Sequence, residues 1–424
     1  MVLVFVGLFV LLFLGVPIAY SIGLAAIFGL VTEAGVPLTI VPQRMFGMLH
    51  TFSLLAIPLF ILAGNLMDRG GISQRLIGFA ASLVGHIRGG LAMVSILGCM
   101  LFGAISGSGA AASAAIGGIT IPAMKDAGYD KEFAGAITAL SGPLGIIIPP
   151  SVLMIVFATT AEVSIGNLFI AGYIPGLLLG LAMMITVNII ARRRGYPAGE
   201  KTSLRGIAQA FFKAIWALGM IFIIIGGIFG GFFTATEAAA VSVFYALFVG
   251  LFIYRNLKLK DLPDVLKRSA MTSAAVMFCV AATNILAFLI TRQQIPMHIG
   301  NALSTVITSR IAFLLLCNLI FLILGVILDS TPAVILAVPI LLPIARTFGV
   351  DPTHFGIITI VNLAIGMSTP PVGLTLFVSS KIAQTSLTSM IKPMLPLWSV
   401  MFGILLLITF VPDLSLFLVR FLAR

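Results

Sequence analysis

Charge is what this sequence has least of. Lysine, arginine, aspartate and glutamate together make up 9% of its 424 residues, against about a quarter in soluble domains. With 60% hydrophobic residues and a mean hydropathy of +1.21, a soluble domain is excluded. No charged residue precedes Glu33, and the first basic residue is Arg44. A cleavable signal peptide has a basic start and an apolar core of about 7–15 residues. Met1–Thr32 lacks the first and exceeds the second, so it reads as one retained span, kinked at Pro17. About 20 helical residues cross a ~30 Å hydrocarbon core.

Cysteine is almost as scarce. Cys99, Cys279 and Cys317 are an odd number in apolar settings, without a CxxC pair, which excludes a disulfide framework and a thiolate metal site. They read as small core residues. His50, His86, His298 and His354 form no HExxH, and no GxxxxGK[ST] phosphate loop occurs. Gly107-x-Gly109-x-x-Ala112 resembles a dinucleotide fingerprint in its spacing alone, without the strand or βαβ context that fingerprint requires.

The net charge of +11 does not describe a nucleic-acid surface. Eleven of the 24 basic residues fall in two stretches, Arg192–Lys213 and Arg255–Arg268. Both flank long apolar runs, the pattern of cytoplasmic loops under the positive-inside rule. Ala214–Tyr254, between them, is long enough for two crossings and returns the chain to the same face.

An internal repeat organises the rest. A shift of 221 residues places Pro122–Pro175 on Pro343–Pro396 without a gap. Gly128, Asp130, Gly135, Thr138, Gly145, Pro149, Pro150 and Leu153 fall on Gly349, Asp351, Gly356, Thr359, Gly366, Pro370, Pro371 and Leu374. The reading is an all-α polytopic membrane protein with a first repeat over 1–191, a cytoplasmic or interfacial connector over 192–214 containing part of an interfacial helix, and a second repeat over 215–424. The first half starts without a basic loop and the second beside one, so the repeats are expected to be inverted. Related halves are a signature of alternating-access transporters.

Each half carries two features too short to be ordinary spans. Eighteen uncharged residues separate Arg310 from Asp329, and fifteen more separate Ser330 from Arg346. The uncharged stretch Gly89–Met124 is interrupted by Ser106-Gly107-Ser108-Gly109. These spacings predict re-entrant hairpins over about 90–124 and 311–346. Broken helices over about 133–161 and 355–382 stop at Pro149-Pro150 and Pro370-Pro371, since proline has no N–H and clashes with the preceding turn.

A broken helix exposes carbonyls suited to a hard cation and N–H groups suited to a carboxylate. Gly145, Ile148 and Pro150, with Gly103 and Ser106, form one candidate Na⁺ cage. Gly366, Thr369 and Val372, with Gly325, form the second, and Thr369 contributes its hydroxyl. Close helix packing is the competing role for a single glycine. Glycines placed alike in both halves beside paired prolines favour the site. Ser108, Ser151, Ser330, Thr331 and Thr375 lie near helix starts and are candidate substrate contacts. Asp329 fits three roles: cation ligand, proton carrier, or cap of the hairpin's second arm. The cap asks least of it, and Ser108, its counterpart, is also a capping type. Glu237 reads as an N-terminal helix residue, and Arg292 as a contact to an anionic substrate or, asking less of it, as a membrane-edge anchor.

At these residues the sequence resembles a known family. Phe102-Gly103-Ala104-Ile105-Ser106-Gly107-Ser108-Gly109 resembles the first hairpin of the large membrane (M) subunit of tripartite ATP-independent periplasmic (TRAP) transporters, with the sialic acid type the first expectation. Ile57–Ile61 with Ala63-Gly64, Gly230-x-Phe232-Phe233-Thr234-x-Thr236-Glu237-Ala238-Ala239-Ala240, Pro149-Pro150-Ser151 and Thr369-Pro370-Pro371-Val372-Gly373 complete the pattern over essentially the whole chain. The resemblance implies an elevator-type importer of organic anions in the bacterial inner membrane, coupled to two or more Na⁺ ions. Sialic acid is the first expected substrate and a C4-dicarboxylate the second. It also implies a periplasmic substrate-binding protein and a small four-helix membrane subunit, expected as a separate chain. An intramembrane enzyme is the rival class, but neither GxSxG nor an aspartate pair is present. A passive anion channel is the other.

Overall fold

The computed structural model describes residues 2–34, 36–307, 309–371 and 373–422. Val372 therefore lies outside the described residues. The chain begins with α1 (Val2–Phe13) and α2 (Ile18–Gly29). The expected single span is instead a helical hairpin, since Gly29 at the end of α2 packs against Val4 at the start of α1. The cause is local. Gly15 takes a left-handed φ of +80°, and the N–H groups of Gly15 and Val16 donate to the carbonyls of Leu12 and Leu11 at 3.0 and 3.1 Å. That is a Schellman stop, and Pro17 behind it cannot continue the helix.

There follow α3 (Ile40–Leu49), α4 (Ala56–Arg69), α5 (Ile72–Val84), α6 (Gly90–Ser106), α7 (Gly109–Asp126), α8 (Lys131–Ser141), α9 (Leu144–Ile147), α10 (Val152–Ala161) and α11 (Ile165–Arg194). Then come α12 (Leu204–Phe229), α13 (Ala235–Phe248), α14 (Leu262–Arg292), α15 (Ile295–Val306), α16 (Arg310–Ile327), α17 (Ser330–Thr347), α18 (Pro352–Gly366), α19 (Leu374–Ala383), α20 (Leu387–Phe410) and α21 (Asp413–Leu422). Side-chain caps start many of them, as polar residues before apolar runs should. Ser164, Ser203 and Ser386 accept from Asn167, Gly206 and Ser389 N–H. Thr234 and Glu237 make a reciprocal capping box at the start of α13. Gly195–Ser203 has no helix, and Leu204–Lys213 forms the first part of α12.

Among the described residues, eight helices are long and apolar enough to cross a bilayer, or nine if the bent pair α8–α10 is counted as one span. Phe13, Phe222, Phe232 and Phe244 stand largely exposed, as apolar groups do when lipid is their solvent. In one layer α13 packs on α4, α14 on α2 and α4, and α12 on α5. The other layer contains α6–α10 and α16–α19 with α11 and α20. Within it α19 packs on α7 and α8, and α10 packs on α17.

Contacts at the two ends define the faces. The Tyr254 hydroxyl donates to the Lys213 carbonyl at 3.1 Å, and Arg69 pairs with Asp261 at 3.0 Å, which brings both basic stretches to one face. Asp130, before α8, binds Arg194 at 3.0 Å and Tyr196 at 2.6 Å on that same face. Thr385, just past α19, donates to Glu132 at 3.4 Å, so α19 ends where α8 begins. At the opposite end Arg346 of α17 donates to the Ala161 carbonyl of α10 at 3.5 Å.

The basic face is expected in the cytoplasm. With the three buried cysteines replaced, Glu200→Cys and Lys260→Cys should react with an impermeant thiol reagent in inside-out but not right-side-out vesicles. Equal labelling in right-side-out vesicles would refute the orientation.

Candidate functional site

In a helix the carbonyl of residue i accepts from the N–H of residue i+4. Pro149 and Pro150 therefore remove the donors of Gly145 and Ile146, and Pro370 and Pro371 remove those of Gly366 and Met367. Both Pro-Pro bonds are cis. The first break turns α8–α9 away from α10 by 44°.

Hairpin tips close on both breaks. Gly103 of α6 lies with its backbone against Gly145, so close that a β-carbon would strike the Gly145 Cα. At Gly107, with φ +62°, an added Cβ would sit 2.9 Å from the Pro150 carbonyl oxygen. Ser106 is buried between this tip and Gly64 of α4. Ile148 ends α9 in an extended conformation, with its side chain against Gly176 of α11. The structure thus brings Gly103, Ser106, Gly145 and Pro150 around one break, with Ile148 at its edge.

The second break has the same apposition. A Cβ on Gly366 would meet Gly325 backbone atoms at 2.6 Å. Here replacement donors repair the break. Thr369 N–H donates to the Gly366 carbonyl at 2.9 Å, and the Thr369 hydroxyl to the Ile365 carbonyl at 2.8 Å. That hydroxyl spends its proton and keeps its lone pairs. Thr375 reaches across the break, its N–H and Oγ1 both donating to the Met367 carbonyl at 3.2 and 3.1 Å. Gly325, Gly366 and Thr369 stand together, and the donor set of carbonyl and hydroxyl oxygens suits a hard cation.

The substrate candidates separate. Ser108 caps α7, accepting from Ala111 N–H at 3.3 Å, and lines a cavity of about 230 Å³. Ser106 and Ala111 share that wall. The facing wall is Ile61, Gly64, Asn65 and Asp68 of α4 with Thr272 of α14. Ser151 is fully buried and caps α10 through Met154 N–H, and Thr375 is fully buried in the second break. Neither lines the cavity. Ser330 is buried with its hydroxyl unpartnered, and Thr331 is half-buried beside it. Asp329 accepts from Ser330 N–H at 2.8 Å, the capping place that Ser108 holds in the first hairpin, with its side chain exposed. Asn65, Asp68 and Thr272 escaped the sequence reading. Asn65 and Asp68 are one helical turn apart directly after Gly64, which is the signal they offered.

The glycine contacts are testable. Gly103→Ala and Gly366→Ala each push a methyl onto opposing backbone, an overpacking that costs about 1–3 kcal/mol. Both should melt several degrees lower in detergent. Gly118→Ala, whose Cβ meets nothing within 4 Å, should melt as the unmodified protein does. Three equal melting temperatures would contradict the close approach of tips and breaks.

Similarity to known proteins accords with this geometry. Residues 5–414 match the DctM component family of tripartite ATP-independent periplasmic transporters. The chain is 44% identical to the C4-dicarboxylate TRAP transporter large permease protein DctM of Pseudomonas aeruginosa over 379 residues, 89% of each chain. It is 39% identical to the sialic acid TRAP transporter large permease protein SiaM of Vibrio cholerae over 96% of both. It is 42% identical to the isethionate TRAP transporter permease protein DctMQ of Oleidesulfovibrio alaskensis over 96% of this chain and 64% of that protein. The solved structure of the Alcanivorax borkumensis YdaH transporter shares the fold, with a TM-score of 0.62 at 13% identity over 88% of both chains. The chain therefore belongs to the DctM family of TRAP transporter large membrane subunits, and it is a transporter permease subunit rather than an enzyme.

Proposed function

We propose that this subunit imports an organic anion together with Na⁺ by an elevator movement in the bacterial inner membrane. A periplasmic binding protein delivers the substrate, and a small four-helix membrane subunit braces the assembly. The observation that carries the reading is the pair of helix breaks, each losing two helical N–H donors to prolines and each closed on by a hairpin tip. At these places Na⁺ is cargo. Gly103, Ser106, Gly145, Ile148 and Pro150 would hold one ion, and Gly325, Gly366, Thr369 and the undescribed Val372 another.

An inverted repeat is supported by element positions. α6, α7, α8, α10 and α11 have counterparts in α16, α17, α18, α19 and α20 about 221 positions later. It is supported also by direction. α8 starts at the basic face and α19 ends there, so the broken helices run oppositely. Relatives named for C4-dicarboxylate, sialic acid and isethionate lie at 36–44% identity, a spread too small to choose a substrate. Sialic acid is the first to test and a C4-dicarboxylate the second. No observation favours the passive channel.

The experiment is uptake into proteoliposomes with the small subunit and ligand-loaded binding protein, under a Na⁺ gradient or a pH gradient imposed separately. Uptake should follow the Na⁺ gradient, and Thr369→Val should weaken its Na⁺ dependence more than the docking of the binding protein. The subunit alone should give negligible uptake. Uptake driven by the pH gradient without Na⁺, and abolished by Asp329→Asn, would make Asp329 the coupling residue and overturn the backbone-site reading.

A further inference from the structure

The cavity at the first hairpin tip has two chemically opposite walls. On the hairpin side stand donors. Ser108 Oγ accepts from Ala111 N–H and so keeps its proton to donate, and the positive end of the 18-residue α7 lies behind it. On the α4 side stand acceptors. Asn65 uses its amide nitrogen on Ser269 Oγ at 2.8 Å, which leaves its oxygen toward other partners. Asp68 receives the Ser73 hydroxyl at 2.6 Å on one carboxylate oxygen, and its side chain is otherwise exposed.

Among the described residues no lysine, arginine or histidine lines this cavity. The nearest cation in sequence, Arg69, is paired with Asp261 at 3.0 Å. An anionic group is therefore met by neutral donors, Ser108 at the hairpin wall and the Thr272 hydroxyl opposite, while the only full charge among the described residues of the lining is the Asp68 carboxylate. A second anionic group would face Asp68, with the neighbouring Arg69 outside the lining and already paired with Asp261, and like charges across a space this small repel strongly. A hydroxyl in the same place would instead donate to Asp68 or Asn65.

From this we infer that the cavity selects a substrate with one anionic group and a hydroxyl or similar donor at its other end, and that Asp68 excludes dicarboxylates. The inference rests on the transporter reading and narrows its substrate class. The reach fits as well. α4 presents Ile61, Gly64, Asn65 and Asp68 over two turns, about 10 Å, the length of a small hydroxylated acid rather than of a polymer.

The test must bypass the binding protein, which has its own selectivity. The intact membrane complex in nanodiscs with Na⁺, without binding protein, is titrated with isethionate and sialate as hydroxylated mono-anions and with succinate and malate as dicarboxylates. Ligand-induced thermal stabilisation gives the affinities. The mono-anions should bind at least tenfold more tightly. Asp68→Asn, which keeps shape and removes charge, should cut that preference about tenfold by strengthening the dicarboxylates. Ser73→Ala removes the hydroxyl partner of Asp68 and keeps the charge, so it should keep the preference; a loss equal to that of Asp68→Asn would mean that Asp68 serves the fold alone. Succinate binding as tightly as the mono-anions to the unmodified complex would overturn the Asp68 inference and leave the transporter reading standing. Failure of all four anions to bind would sink both. Loss of Na⁺ dependence in Asp68→Asn, with the preference unchanged, would make Asp68 a cation ligand and overturn the inference.

Discussion

Four backbone carbonyls inside buried apolar helices have no helical donor, because Pro149, Pro150, Pro370 and Pro371 carry no N–H. In hydrocarbon each such group costs several kcal/mol unless protein, water or an ion satisfies it. The surrounding architecture can be understood as the answer to that cost. Two helical hairpins fold back to cover the breaks, and their tips approach so closely that Gly103 and Gly145, or Gly325 and Gly366, admit no side chain between them. Small residues achieve by close contact what the hydrophobic effect cannot, since lipid is as apolar as the helices.

The halves solve the problem differently. In the second, Thr369 and Thr375 return donors to the Gly366 and Met367 carbonyls. The first has Ile148 and Met154 at the corresponding places, and neither supplies a hydroxyl. There the helix restart is capped by Ser151, and the Tyr173 hydroxyl from α11 donates to the Pro149 carbonyl at 3.2 Å. The first break thus leans on its neighbours, while the second is braced from within. Asymmetry of this kind gives two related sites different strengths without any change of fold.

The features written along the chain were readable from the sequence. Hairpin arms, helix stops and the capping role open to Asp329 depend on spacing, proline and polar tips, and the element limits fall within a few residues of the expected ones. Features set by lateral packing were not readable. One uncharged run of 32 residues gives no measure of whether Gly15 and Pro17 kink a helix or reverse it; the local stop ends α1, and the packing of Gly29 on Val4 and Leu289 accompanies the reversal. Ser151 and Thr375 start or follow the helix restarts as their spacing implies, and lateral packing buries both fully, away from the cavity at the first hairpin tip. Asp68 went unnoticed because its partner across the cavity, Ser108, is 40 positions away on another layer.

Where the buried polar bonds lie bears on how such a molecule can move. Ser95 of α6, Thr120 and Ser113 of α7 and Thr138 of α8 join the first hairpin to its own broken helix at 3.2–3.4 Å. Asn362 of α18 donates to Asn318 of α16 at 2.8 Å, and Asn318 to Thr409 of α20 at 3.1 Å, which fastens the second hairpin likewise. The other layer has its own fastenings, Asn65 to Ser269 between α4 and α14 and Thr236 to the Phe52 carbonyl. Where the first hairpin meets α4, by contrast, the contact is the Gly64 backbone against Ser106, beside the cavity. Directional bonds resist sliding and bare backbone contact resists it little. A boundary of this composition resists relative displacement less than the fastenings within either layer do.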